Sequence, residues 1–596
     1  MSVSRQEEAA AVAEAPHAAA RAATRASFHL RRYLPIYVFG TIWVLMIGLF
    51  PTINHNNNDN SQVLGTSQRS GLRAGGDQAA GPTDGTVDFG AGGDSAAPGA
   101  AGGQDLVGGD TNSGPIAAPV TGQGTTVGGV ECKPGVRQLP FSQYAAPCEA
   151  KFTGNNGGAT SRGVDAKTIK ITIRRNSDAS GPNAQAVDQV NKQAGNATAS
   201  EANGYGQEFI PYFNKMFELY GRKVVFTLWD GQGNGTDEAQ SKGQEAACAD
   251  ATNIAQSQKA FGAVGWGFGY MSQPFSECAA RQKIYVSLGA AYFPETYYQK
   301  WDPYVWAGTM ECERISHDVA EYIGKRLAHK KAQWAGDPLL QNNERKFGTY
   351  VPNNDGYQHC VNLTEADLTT KYHQPKPERY DYTLDVSQFP TEAARGITQF
   401  RAANVSSIIM ACDPISMVFL TRSAGEQNYH PEWINIGVAA DDTNGYARLW
   451  DARAINGHLF GMSQLGTDAK VYSQEGEAAI AYKAATGKKE MPQGAGLVYY
   501  FLLQLFNQIQ AAGPNLTPQN IAIGTHNMPD GGGATSAVGT WRFKDDHTAI
   551  EDSREIFWDS TATGYDGKKG AYVETYGGKR FKTGEWPQEN PPIAPK

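Results

Sequence analysis

The sequence predicts an α/β protein with two doubly wound parallel-sheet lobes, preceded by one transmembrane helix and a disordered linker. Three observations carry that prediction. Residues 168–540 alternate β-branched strand signals with stretches of helical apolar spacing, which is the pattern of parallel sheets covered by helices. Residues 131–596 are too many for one core, since single cores stop growing near about 250–300 residues. Residues 33–50 are uniformly apolar, and 52–130 are rich in Gly, Ala, Asp, Ser and Thr.

The run YLPIYVFGTIWVLMIGLF at 33–50 contains no charged residue, and about 17–25 such residues suffice to cross a bilayer. Arg21, Arg25, Arg31 and Arg32 precede it, and no Lys or Arg follows before Arg69. The positive-inside rule therefore assigns 1–32 to a cytoplasmic tail, 33–51 to a single-pass anchor in the cell membrane, and the rest to the extracytoplasmic side. A cleavable signal peptide is the competing reading. No A-x-A-like site follows the run closely, and the run is long for a secretory h-region. A lipoprotein anchor needs a Cys directly after the apolar segment, and the first Cys is Cys132. Residues 52–130 have almost no aromatic side chains, so they bury too little apolar surface to offset ordering entropy and read as a flexible linker.

The net charge of −8 argues against nucleic acid as a partner, because a polyanion is bound by releasing its counterions to a basic surface. All 7 Cys lie after residue 131. In an oxidising compartment Cys pair, and short loops give the simplest pairing: Cys132 with Cys148, stapling an N-terminal extension at 131–164, and Cys248 with Cys278. Cys312, Cys360 and Cys412 leave one bridge and one free thiol, among which the sequence does not choose. No C-x-x-C and no nearby His supports a metal site at these cysteines.

TIKITI opens the alternation as a strand, GQEFIPYFNKMFELYG follows as an amphipathic helix, and RKVVFTLWD closes a βαβ unit. An Ala-rich helix is expected over 237–258, then strand FGAVGW, a helix over 271–282 and strand KIYVSLG. After YVWAGT the pattern resumes with a helix over 314–329, strand KFGTYVP, a helix from Tyr357, strand RYDYTLDV, a helix over 391–403 and strand VSSIIMA. Two such sheets turn the loops at the carboxyl ends of their strands toward a common cleft, where ligands of open α/β folds bind.

Specific stretches resemble a family. A strand ending at Asp230, the turn before Gln273–Ser276, the strand end Ser287-Leu288-Gly289-Ala290, VPNNDGYQ, IIMACDP, INIGVAADDTNG, NGHLFGMSQ and VGTWRFKDDHTAI occur in the order found in type I periplasmic binding proteins. The chain is similar to their Leu/Ile/Val-binding branch, the solute receptors of ABC transporters, over about residues 168–558. The resemblance implies lobes joined by three crossovers, with lobe 1 at 165–308 and 457–537 and lobe 2 at 309–456 and 538–596.

It also implies a binding site. Amino-acid-binding members take the substrate carboxylate on a Ser-rich turn and a Thr, whereas those positions fall here on Gly269, Tyr270, Met271 and Ala291. Without those hydroxyls an α-carboxylate loses its donors, and an unpaired buried charge costs several kcal/mol. Phe268, Tyr270, Tyr292 and Phe293, beside Ala290 and Ala291, instead offer flat apolar faces suited to an aromatic, cyclic or amphipathic solute. Asp355, Tyr357, Asp413 and Asp441 or Asp442 are the lobe 2 residues expected to meet its polar groups.

No catalytic constellation accompanies these residues: G-x-S-x-G, H-E-x-x-H and G-x-x-x-x-G-K-[ST] are all missing from the sequence. His317, His359 and His458 are isolated. GQGNG and GWGFG do not complete a dinucleotide fingerprint. The expectation is a tethered receptor with no cofactor, no metal and no enzymatic activity. It closes around a small molecule and delivers it to ABC permease subunits; the alternative is a ligand sensor that signals through a partner.

Overall fold

The computed structural model describes residues 124–265, 272–289, 291–465, 471–533 and 536–588. The tail at 1–32, the anchor at 33–51 and nearly all of the linker lie outside these residues. So do Phe268, Tyr270, Met271 and Ala290. Among the described residues no helix is long and apolar enough to cross a membrane.

The described chain begins with a two-stranded ribbon, β1 (Gly124–Thr125) against β2 (Glu131–Cys132), closed by the Cys132–Cys148 disulfide. Residues 124–130 therefore belong to the ordered extension and not to the linker. The turn is held by Thr126, whose hydroxyl accepts the Val130 N–H at 3.0 Å. The extension docks through Asn507: its amide donates to the Tyr144 carbonyl and its Oδ1 accepts the Ala146 N–H.

The first sheet is all parallel, in the order β4 (Lys223–Asp230), β3 (Thr168–Arg175), β5 (Gly262–Gly265), β6 (Tyr285–Leu288) and β7 (Val305–Ala307). In β3 the branched residues Ile169, Ile171 and Ile173 bury one face, and Thr172 is buried on the other. Burial on both faces is what a parallel sheet between two helical layers requires. The predicted helix over 237–258 is instead two helices, Gly235–Ala239 and Gln244–Gln256. They are separated at Ser241 and Gly243, both with left-handed φ (59° and 70°), a conformation no α-helix carries through its interior.

The second sheet has eight strands. Five run parallel, in the order β9 (Glu378–Tyr382), β8 (Phe347–Pro352), β10 (Ser407–Met410), β11 (Glu432–Asn435) and β12 (Leu459–Ser463). β13 (Asp552–Thr563) is antiparallel to β12 and pairs with both β14 (Lys569–Glu574) and β15 (Arg580–Lys582). This corrects the boundary read from the sequence: residues 459–463, assigned there to lobe 1, are the fifth parallel strand of lobe 2. The chain crosses only afterwards, and the helices Glu477–Thr486 and Ala495–Ala511 pack on the lobe 1 helix Ala199–Met216. The AGLVYYFLLQLF stretch of Ala495–Ala511 is apolar on nearly every side because it is buried on nearly every side.

Candidate functional site

Helix starts converge on the space between the two sheets, each capped by a short polar side chain. From lobe 1, the Thr198 hydroxyl accepts the Glu201 N–H and the Ser272 hydroxyl accepts the Phe275 N–H. From lobe 2, the Asn354 Oδ1 accepts the Gly356 and Tyr357 N–H groups, and the Asp413 carboxylate accepts those of Ile415 and Ser416 at 2.9 Å each. The caps consume helix-end donors that would otherwise bind an anion.

These helix starts border a cavity of about 390 Å³ between the lobes, within the range of sites for small organic ligands. Its apolar wall is built by Ala291, Tyr292, Phe389, Ile415, Leu497 and Phe501, with Tyr357 and Tyr446 presenting rings from lobe 2. No Lys or Arg is among its described lining residues. The carboxylates at its edge are engaged. Asp178 accepts the Gly235 N–H at 2.7 Å and bonds Thr236, while Glu238 is paired with the buried Arg174, itself also bonded to Asp250. The second Asp413 oxygen accepts the Tyr382 hydroxyl at 2.5 Å. The cavity therefore offers apolar surface interrupted by neutral hydroxyls and amides.

The lobes touch directly around it. The Tyr292 hydroxyl oxygen accepts the Ala439 N–H at 3.0 Å, and the Tyr446 hydroxyl donates to Asn191 Oδ1. The Asn354 amide donates to the Ala239 carbonyl and to Ser241 Oγ, and the Gln240 amide donates to the Leu384 carbonyl. Burial pushes the Tyr292 phenol well above its usual range, and the nearby Asp442 and Asp441 carboxyls act in the same direction. It stays a neutral hydroxyl.

The lobe 2 loop that receives Tyr292 is strained. Gly437, Ala439 and Ala440 all have left-handed φ, 70°, 51° and 67°, a region that costs an alanine about 1–2 kcal/mol. It is held by Asn435, whose Oδ1 accepts the Gly437 N–H and whose amide donates to the Asp441 carbonyl. The Tyr572 hydroxyl donates to that same carbonyl.

Among the residues expected from the sequence, Ala291, Tyr292, Tyr357 and Asp413 line the cavity together with Phe293. Asp355 is exposed in the first turn of its helix, and Asp441 is buried behind the wall; neither is a lining residue. Neither Asp441 carboxylate oxygen has a hydrogen-bond partner among the described residues. Burial raises its pKa well above the carboxylate range, reinforced by Asp413 and Asp442. Asp442 bonds Ser463. The sequence reading missed Asn191, Ser272, Asn354, Tyr446, Leu497 and Phe501. Ser272 and Asn354 carry a legible signal, since each is a capping-type residue within three residues of a predicted helix start, and each caps the observed helix.

The cysteine pairings read from the sequence, Cys132–Cys148 and Cys248–Cys278, are both present. The third disulfide is Cys312–Cys360, which ties the helix Cys312–Tyr322 to Asp355–Thr370, and leaves Cys412 free and buried.

No protein-family model and no curated protein matches the chain. Solved structures do match. A fatty acid ABC transporter substrate-binding protein from Thermomonospora curvata superposes with a TM-score of 0.51 at 12% identity, over 73% of this chain and 98% of that one. A periplasmic binding protein type 1 from Bordetella pertussis Tohama I gives a TM-score of 0.45 at 15% identity, over 69% of this chain and 100% of that one. A possible leucine/isoleucine/valine-binding protein from Rhodopirellula baltica SH 1 gives 0.44 at 12%, over 68% and 96%. In fold, two parallel-sheet lobes around a cleft, the chain is similar to the substrate-binding protein from Thermomonospora curvata.

Proposed function

We propose that this protein is an extracytoplasmic solute-binding receptor, tethered by its N-terminal apolar span, that captures an aromatic, cyclic or amphipathic small molecule and delivers it to an ABC permease. The observation that carries the reading is the cavity of about 390 Å³ at the helix starts between two parallel-sheet lobes. Its aromatic and aliphatic wall, with carboxylates already partnered and no cation among the described lining residues, favours a ligand that is mainly apolar. Binding without chemistry is the corresponding activity: closure of the lobes is stabilised in proportion to the ligand's preference for the closed state.

The test is a thermal-unfolding screen of the full-length chain with straight-chain fatty acids, aromatic carboxylic acids and the branched-chain amino acids. A true ligand at 100 times its Kd adds about 2.7 kcal/mol to stability. Fatty or aromatic acids are expected to raise Tm and leucine to leave it unchanged. A rise with leucine, isoleucine or valine alone would refute the ligand class.

A further inference from the structure

Away from the cavity, at the β7 end of the first sheet, three residues far apart in sequence bring ligand-type atoms together. Asp302 stands just before β7, His526 ends the helix Pro518–His526, and His547 lies on the segment that leads to β13. One ligand atom from each lies within 4.8 Å of the other two. The two imidazole rings are 5.6 Å apart at 89°, and the ring of Trp306 packs on both, at 5.2 Å from His526 and 4.8 Å from His547.

The hydrogen bonds around the imidazoles decide what these atoms are. His526 Nδ1 faces the Phe543 carbonyl, which only accepts, so that nitrogen carries the hydrogen and Nε2 keeps the lone pair. His547 faces a carboxylate with each nitrogen: Nδ1 is 3.2 Å from Glu295 Oε1 and Nε2 is 2.9 Å from Asp302 Oδ1. A neutral imidazole has one N–H, so one of those contacts sets a lone pair against a carboxylate unless a positive charge is present. A proton on His547 satisfies its own two contacts and leaves the Nε2 lone pair of the half-buried His526 to solvent. A cation between Nε2 of both rings and the Asp302 carboxylate satisfies all three. In that arrangement each histidine donates its other N–H to a carbonyl or a carboxylate, the usual orientation of metal-bound imidazoles.

We propose that Asp302, His526 and His547 form a divalent-cation site of zinc type, which clips the segment around His547 onto the edge of the first sheet. Two imidazoles with one carboxylate suit zinc and disfavour calcium and magnesium, which take oxygen donors. Zinc bonds of about 2.0–2.1 Å place tetrahedral ligand atoms roughly 3.3 Å apart, a contraction that side-chain rotation supplies. Asp302 is exposed, which opens the point to solvent and to a fourth ligand. The clip falls where the backbone already pairs: the Ala307 N–H donates to the His547 carbonyl at 3.0 Å and the Ala549 N–H to the Ala307 carbonyl at 3.2 Å.

The test uses the full-length chain, freed of any histidine tag and stripped with chelator. Zinc chloride is titrated calorimetrically at pH 7.5, with calcium chloride as control and thermal unfolding in parallel. One zinc per chain and a raised Tm are expected, with no response to calcium. His526→Ala, which spares both carboxylate contacts of His547, is expected to weaken zinc by about 100-fold or more, since even outer partners of a metal site are worth about 10- to 100-fold. Glu295→Gln should weaken it within that outer-partner range. Asp302→Asn, at an exposed position, serves as the second ligand variant should His526→Ala fold poorly. Absence of one-to-one zinc binding, or wild-type zinc affinity in both His526→Ala and Asp302→Asn, would overturn the site.

Discussion

Tyr292 of one lobe and Ala439 of the other are joined across the cleft: the phenol oxygen accepts the alanine N–H at 3.0 Å. The bond sits in the cavity wall, between a residue of the segment after β6 in lobe 1 and the strained loop of lobe 2. The bond links the two lobes, so under the proposed hinge closure it contributes to the closed state and not to the folding of either lobe.

Replacing Tyr292 with Phe keeps the ring and removes the acceptor. The Ala439 N–H is then closed into an apolar wall without a partner, which costs about 1–3 kcal/mol. The expected result is a ligand affinity reduced by about 5- to 150-fold with little change in the unliganded Tm. Calorimetry with the ligand found by the thermal screen measures both; an unchanged affinity would mean that this bond does not report closure.

The strained loop gives a prediction of stability. At Ala440, φ is 67°, and Gly adopts that conformation freely, whereas a β-branched residue there is a true outlier. Ala440→Gly is expected to be neutral or stabilising by up to about 1 kcal/mol, because relief of the left-handed strain is offset by the greater unfolded-state entropy of Gly. Ala440→Val should cost about 1–3 kcal/mol. Urea unfolding at fixed pH distinguishes the two.

Much of the fold was legible because parallel strands are short, branched and apolar between helices of visible period, as in TIKITI and VSSIIMA. The places that were not legible share one cause. LFGMS in β12 has the same apolar character whichever sheet takes it, and its partner is chosen by tertiary pairing with Trp433, Ile434 and Asn435. The break at Ser241 and Gly243 lies inside an Ala-rich run whose composition favours one continuous helix. At the site, Tyr292 and Asp413 were legible through the family resemblance, Tyr292 as a flat aromatic face and Asp413 as a polar residue of lobe 2. The burial of Asp441 behind the wall depends on Asn435 and Tyr572, the latter more than 100 residues away in sequence, and no local pattern announces it.

Acidity supplies a third prediction. Burial raises Asp442 from its usual value to about 6, against the opposing hydrogen bond from Ser463. The folded state then binds a proton that the unfolded state, with a carboxyl near 3.9, has already released. Its contribution to stability is fully present below about pH 4 and is lost as pH rises through 6. Glu311, Asp318 and Glu477, each raised to about 7 chiefly by burial, act in the same direction. Unfolding free energy should therefore fall between pH 5 and pH 7.5. Asp442→Asn, which keeps an acceptor for Ser463 but cannot titrate, should reduce that fall by about 1.4 kcal/mol, since only about one pKa unit of the Asp442 difference lies above pH 5. Equal slopes in the two proteins would exclude Asp442 as a contributor.

Thiol accounting supplies the last prediction. Six cysteines are paired and Cys412 is free, fully buried at the end of β10. Burial, together with the carboxyls of Asp441 and Asp413, raises its pKa well above the usual thiol value, so little reactive thiolate exists at neutral pH. Native protein should therefore resist alkylation, protein unfolded without reductant should take up one label per chain at Cys412, and unfolded, reduced protein should take up all 7. The Cys312–Cys360 bridge closes a loop separated by 48 residues within lobe 2, and its removal by Cys312→Ala with Cys360→Ala should cost about 2–4 kcal/mol. Mass spectrometry of the labelled peptides assigns each site. A label on Cys412 in the native protein at the rate of an exposed thiol would show that the cleft end of β10 opens to solvent far more often than its burial implies, and two or more labels in the unfolded, unreduced protein would remove one of the three bridges.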